Sequence, residues 1–283
     1  MITAAIGVGL AWAGAAWCGD GRAAGPASGN LAPKVLLVWT APDHPYATHM
    51  YESECRLLAR LLAQNGVDAV VSPEAEWPKD ETVFEGVRSI VYYSRPAGDV
   101  VLSDAHAPKF RALMKEGVGY AAIHWGTCAW DGKYEKEYQR VLGGVFHPPR
   151  SGPKMGTSKL VQAEPGSDVC RGWKEYDLHD EFYMGMTFLE KTTQVLKVDV
   201  EGTEETVAWT YQRPDSEGGG RSFGCTLLHF HENMKIEAFR RAIVNGILWS
   251  AGLEVPEGGA RVDVTEDDLR LPPEPARPGA NAK

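Results

Sequence analysis

Unbroken apolar runs, each too short for a helix and set between amphipathic segments, constrain the fold of this chain more than any other feature. They are KVLLVW at 34–39, SIVYYS at 89–94 and VGYAAIH at 118–124. A strand with one wet face alternates apolar and polar side chains. A continuous run suits a strand covered on both faces, as in a parallel sheet between helices. The intervening segments carry the helical period. Residues 49–65 put Cys55, Leu58, Leu61 and Leu62 on one face and stop at Asn65-Gly66, a left-handed C-cap signal. Residues 104–116 present Phe110, Leu113 and Met114 before Gly117, and 133–142 end at Gly143-Gly144. With another strand at 67–72, the alternation predicts a mostly parallel sheet flanked by helices. The second half holds extra strands, at 159–163, 194–200, 206–211 and 221–229, before a last helix at 236–251.

Composition bounds the function. The 283 residues carry a net charge of -9 with no basic run, which gives no support for nucleic-acid binding. Neither a G-x-G-x-x-G after the first strand nor a G-x-x-x-x-G-K-[ST] occurs, so a nucleotide cofactor is unsupported. Residues 2–17 are apolar and too short for a membrane span. They read as the apolar part of a secretory signal over 1–24, although no Lys or Arg precedes Arg22. The expected location is periplasmic or secreted, with no transmembrane span in the mature chain. A linker over 25–33 then leads to a domain over 34–256, and 257–283 reads as a Pro-rich acidic tail without order. Cys55, Cys128, Cys170 and Cys225 show no C-x-x-C pairing. Cys55 and Cys225 fall on buried patterns and read as free thiols.

The histidines mark the chemistry. In an open α/β sheet, ligands bind at the carboxyl ends of strands. His44, His124, His229 and His231 all fall at or near such ends. AIHWG at 122–126 has the shape of a nucleophile elbow, a sharp turn presenting one side chain, here His124. His229 and His231 are two apart, and on a strand they share a face and can offer two nitrogens to one metal or substrate. His44 and His49 lie in the loop after the first strand, on the rim of such a site. Asp180 and Glu181 follow His179, and only one of two adjacent strand residues reaches a given face. His147, in a loop after Gly143-Gly144, can close over a ligand.

These segments, in this order, resemble the trehalose-utilisation (ThuA-like) family. They are Lys34–Trp39 with His44 and His49, YAAIHWG at 120–126, LGGVF at 142–146, HDEFY at 179–183, VAWT at 207–210 and the stretch 220–249. The resemblance implies a single flavodoxin-like, class I glutamine amidotransferase-like domain. Related amidotransferases carry a catalytic Cys at the elbow. His124 stands there in this chain, so amidotransferase activity is not expected. The family implies sugar metabolism, with a carbohydrate as small-molecule partner and 3-keto disaccharides or glycosides as substrates. A carbonyl acidifies the neighbouring C–H, which a His base can remove. Elimination, hydrolysis or isomerisation can follow, which makes the expected enzyme a lyase, a hydrolase or an isomerase. The expected roles are catalysis for His124, Asp180 and Glu181, substrate contact for His49, Trp125 and His147, and one divalent metal, zinc or manganese, on His44, His229 and His231. A carbohydrate-binding module that kept the cleft without the chemistry is the alternative.

Overall fold

The computed structural model describes residues 31–148 and 150–274, so the expected export signal over 1–24 and most of the linker lie outside the described residues. The first half runs β1 (Lys34–Trp39), α1 (Tyr51–Ala63), β2 (Asp68–Val71), β3 (Val87–Tyr93), α2 (Ala97–Val101), α3 (Ala107–Lys115), β4 (Gly119–Ile123) and α4 (Gly132–Leu142). The second runs β5 (Gly144–Val145), β6 (Gly152–Gln162), β7 (Tyr176–Met184), β8 (Thr187–Phe188), β9 (Thr193–Val200), β10 (Thr203–Gln212), β11 (Arg221–Cys225) and α5 (Glu237–Ser250).

Among the described residues, nine strands form one sheet in the order β2-β1-β3-β4-β11-β10-β9-β6-β7. From β2 to β11 every pairing is parallel. From β11 to β7 every pairing is antiparallel. The apolar runs fill the parallel half. The centres of β1, β3 and β4 are buried, and each such side chain stabilises the fold by about 1.5–3 kcal/mol. One face packs Leu58 and Leu62 of α1 with Phe239 and Ile243 of α5. The other packs Phe110 and Leu113 of α3 with Tyr138 of α4. Helices therefore cover both faces, as the unbroken runs require.

Three boundaries differ most from those expected, and β7 was not expected, each for a local reason. The first helix begins at Tyr51, because His49 adopts a positive φ of 46° and cannot be helical. The strand β6 starts well before 159. Its first eight residues alternate half-buried and exposed with few apolar side chains, so hydrophobic patterning did not reveal them. Charged residues similarly mask β7. The strand β11 ends at Cys225, not 229, because Leu228 turns to a positive φ of 86° and the N–H groups of Leu228 and His229 go to the Asp180 carboxylate.

The segment expected as a tail without order is, as far as Glu274, part of the fold. Ala260 and Val262 are buried. Polar side chains dock its main chain. Asn65 and Gln64 each bond both polar groups of one residue, Arg261 and Asp263 respectively. Asn245 accepts the N–H of Ala260 and donates to Val169 O and Arg171 O. Low hydrophobicity suggested disorder, but side-chain amides replace a sheet partner here. All four described cysteines are free and buried. No described helix is long and apolar enough to cross a membrane.

Candidate functional site

The C-terminal ends of β1, β4 and β11 open on one side of the sheet, and three imidazoles converge there. His124 follows directly on β4 with a φ of 52°. That left-handed conformation costs a non-glycine residue about 1–2 kcal/mol. It makes the expected sharp elbow. Gly126 completes the turn, since a Cβ there would stand 2.7 Å from Tyr92 O. Thr127 Oγ1 donates to His124 O at 2.7 Å. His49 and Leu228 also hold positive φ, 46° and 86°. Backbone strain is thus concentrated around the imidazoles, as at many functional sites.

The geometry of the cluster is tight. His124 Nε2 lies 2.9 Å from His49 Nε2 and 3.3 Å from His229 Nδ1. His49 Nε2 lies 3.0 Å from His229 Nδ1. Glu181 Oε2 lies 3.4 Å from His124 Nε2 and 3.5 Å from His229 Nδ1. The hydroxyl of Tyr183 is 3.4 Å from His124 Nε2. A tetrahedral ion with ligands at about 2.0–2.1 Å sets its ligand atoms about 3.3–3.4 Å apart. The three edges among His124, His229 and Glu181, 3.3, 3.4 and 3.5 Å, fall close to that spacing, and the two from His49 to the other imidazoles, 2.9 and 3.0 Å, are shorter.

Proton placement sharpens the point. His124 Nδ1 is 2.7 Å from Thr226 O. A carbonyl only accepts, so Nδ1 carries the proton and Nε2 presents a lone pair. His49 Nδ1 faces Asp43 Oδ1 at 3.3 Å and the Tyr51 hydroxyl at 2.7 Å, and that hydroxyl lies 3.4 Å from Asp43 Oδ2. With Asp43 accepting from Nδ1, His49 Nε2 is also a lone pair. Two lone pairs 2.9 Å apart repel unless a proton or a cation sits among them. Burial, and then the neighbouring His49, hold His124 well below the usual imidazole range. Burial lowers His49 as well, against its hydrogen bond to Asp43. A proton is therefore a poor occupant.

The carboxylates divide their work. Glu181 faces the imidazoles. Asp180, fully buried, turns away and accepts three main-chain N–H groups, from Leu228 at 2.9 Å, His229 at 3.0 Å and Glu181 at 2.8 Å. Burial nevertheless raises its carboxyl to about 6. The pair thus acts as one group at the site and one clamp behind it.

His44 stands on the rim. Its ring lies 3.6 Å from that of His49 and edge-on to Trp125 at 5.3 Å. Its Nδ1 meets Asp43 Oδ1 at 2.8 Å. It belongs with Asp43 and His49, not to the four-residue group.

His231 is not brought to His229. The strand needed for a shared face has ended at Cys225, and a short 3-10 turn starts at His231. His231 Nδ1 meets Glu54 at 2.5 Å and Nε2 donates to Leu269 O at 2.7 Å. His147 is also outside the group, with Nδ1 donating to Ala129 O at 2.9 Å.

Sequence reading missed Asp43, Tyr51 and Tyr183. Asp43 adjoins His44 and Tyr183 lies in the HDEFY segment, so adjacency was the available signal. A groove of about 730 Å³ lies elsewhere, between α1 and residues 267–272. Its arginines are already paired, Arg56 with Glu52, Arg60 with Asp268 and Arg270 with Asp267.

The chain's likeness to known proteins agrees with this architecture. A ThuA-like protein from Parabacteroides merdae superposes with a TM-score of 0.59 at 19% identity, over 85% of this chain and all (100%) of its own. A ThuA-like protein from Bacteroides uniformis gives a TM-score of 0.60 at 15% identity, over 80% of this chain and 95% of its own. A cold-adapted β-galactosidase from Rahnella sp. R3 gives 0.53 at 12% identity, over 78% of this chain and 32% of its own. At these identities the likeness is one of fold. Among curated proteins no sequence matches the chain. The ThuA family, described as trehalose utilisation, matches residues 34–250. Over that span, which includes the elbow, the clamp and all three converging imidazoles, the chain is a member of the ThuA family.

Proposed function

We propose that His49, His124, Glu181 and His229 hold one divalent cation, zinc or manganese, and that the protein is an enzyme acting on oxidised glycosides. The observation that carries this reading is the approach of His49 Nε2 and His124 Nε2 to 2.9 Å, with His229 Nδ1 3.0 Å from the first and Glu181 Oε2 3.4 Å from the second. The family description, trehalose utilisation, supports a carbohydrate substrate. A cation bound there supplies Lewis-acid polarisation of a substrate carbonyl.

The chain's own residues do the rest. Asp43 holds His44 Nδ1, which leaves Nε2 of a partly exposed imidazole as the proton acceptor on the rim. On a 3-keto glycoside, His44 takes the C2 proton, and the C–H electron pair forms an enolate across C2 and C3. Collapse of the enolate makes a C1–C2 double bond and breaks the bond from C1 to the aglycone oxygen. That oxygen departs with the proton from His44. Burial raises the Cys128 thiol, so it is no thiolate nucleophile.

The test is incubation of zinc- or manganese-loaded protein with 3-keto-trehalose, followed by chromatography of released glucose. Release that falls at least a hundredfold in His44→Ala is expected. Binding of the sugar with no release would contradict the reading and indicate a carbohydrate-binding module.

A further inference from the structure

Trp130 is 57% exposed, the largest apolar side chain so open within the folded domain. A solitary exposed apolar residue needs no explanation. The loop beneath this one does. Asp99 accepts the N–H of Trp130 at 2.6 Å and of Asp131 at 2.8 Å. Gly98 donates to Cys128 O, and Ala129 donates to Phe146 O. His147 Nδ1 donates to Ala129 O. A Cβ on Gly98 would stand 2.8 Å from that of Ala129, so α2 and the loop approach as closely as glycine permits. Asp131 then caps α4 through the N–H of Lys133. Every residue from Cys128 to Asp131 is held, and what they hold out is an indole.

The indole also has a direction. Its ring meets Trp125 edge-on at 6.2 Å, and Trp125 lies 5.3 Å from His44 and 5.9 Å from His49. An aromatic path therefore leads from the imidazole cluster out to Trp130. The next residue, Asp131, has an exposed carboxylate 3.0 Å from the exposed Lys133 ammonium. A flat apolar face beside exposed charges suits a pyranose, which has an apolar C–H face and a rim of hydroxyls. A rigid platform also binds at little ordering cost.

We infer that Trp130 is a stacking platform for the second sugar ring of a disaccharide whose first ring lies at the His49–His124–His229 cluster. The inference rests on the carbohydrate reading of that cluster and adds the residue that holds the second ring. Trp125 lines the path between the two subsites, and Asp99 is the positioning residue that fixes the platform.

Calorimetric titration of zinc-loaded protein with trehalose, maltose, cellobiose and lactose tests it. At least one should bind, with affinity on the order of tenfold weaker in Trp130→Ala and largely kept in Trp130→Phe. Methyl α-glucoside, a single ring, should bind wild type and Trp130→Ala alike. Unchanged disaccharide affinity in Trp130→Ala overturns the inference, as does binding of none of the four by wild type. Metal content measured on the same samples separates the two readings. A platform that fails in protein holding a full equivalent of zinc leaves the metal centre standing. A disaccharide bound through Trp130 by protein that takes up no zinc removes the metal centre alone.

Discussion

The Asp180 carboxylate holds His229 by its main-chain N–H and not by its imidazole. The buried Asp180 carboxylate accepts the His229 N–H at 3.0 Å and the Leu228 N–H at 2.9 Å. Leu228 is one of the few non-glycine residues with a positive φ. The carboxylate thus holds the strained turn that aims His229 at His124.

Asp180→Asn keeps the shape but replaces one acceptor oxygen with an amide that donates. An N–H must then face an N–H, and the turn relaxes. Groups that orient metal ligands typically contribute 10–100-fold in affinity. Zinc affinity, measured by competition with a chromogenic chelator, should fall by about that factor with the fold intact by circular dichroism. Unchanged affinity would show that the turn holds itself.

Acid should destabilise the metal-free protein early. His124 and His49 are both lowered by burial. Below the ordinary imidazole value of 6.5, the unfolded chain binds protons that the folded one refuses, so stability rises with pH there. Full stability is present above that value and is lost as pH falls below it. Urea denaturation of chelator-treated protein at pH 7.5, 6.5 and 5.5 checks this. A midpoint that does not decline between the last two contradicts it.

Gly246 sits in α5 where the helix meets β11. Alanine favours a helix by about 1 kcal/mol over glycine. Here its Cβ would lie 2.4 Å from Phe223 ring carbons, and overpacking costs about 1–3 kcal/mol. The clash wins because Phe223 is itself fully buried. Gly246→Ala should lower Tm in a thermal melt, and a raised Tm would mean that Phe223 has room to move.

Asn245→Ala should free the C-terminal segment. It removes the acceptor of the Ala260 N–H and the donor to two carbonyls. An orphaned buried group costs about 1–3 kcal/mol. Limited proteolysis should cut near residue 260 in the variant and spare the wild type. Equal resistance would place the hold on Asn65, Gln64 and the buried Val262 instead.

The parallel half of the fold was legible because its physics is local. Five consecutive apolar residues at 35–39 suit a strand buried on both sides, and Asn65-Gly66 states where the next helix stops. The elbow was legible too, since a buried strand meeting His124 and Gly126 leaves little conformational choice. The antiparallel extension was less so, because β6 and β7 carry lysines, aspartates and two glycines in place of an apolar alternation. The pairing of His229 with His49 across 180 residues was beyond any spacing rule. The His229–His231 motif pointed to a shared face, but the strand stops before both residues. Strand ends are set by tertiary partners, here the Asp180 carboxylate that takes the N–H groups of Leu228 and His229. The Cys128–Asp131 loop was silent in sequence, because its order comes from Asp99 and Gly98, some thirty positions earlier.

The measurement that bears most directly on the central claim is the zinc and manganese content of untagged protein by elemental analysis, after loading and exhaustive dialysis. One equivalent per chain is expected in wild type and in His44→Ala, whose imidazole lies outside the ligand group. Less than a tenth of an equivalent is expected in His124→Ala and His229→Ala, roughly the loss that removing one ligand of a structural set produces. Wild type that retains neither metal, or His124→Ala that retains a full equivalent, would contradict the account.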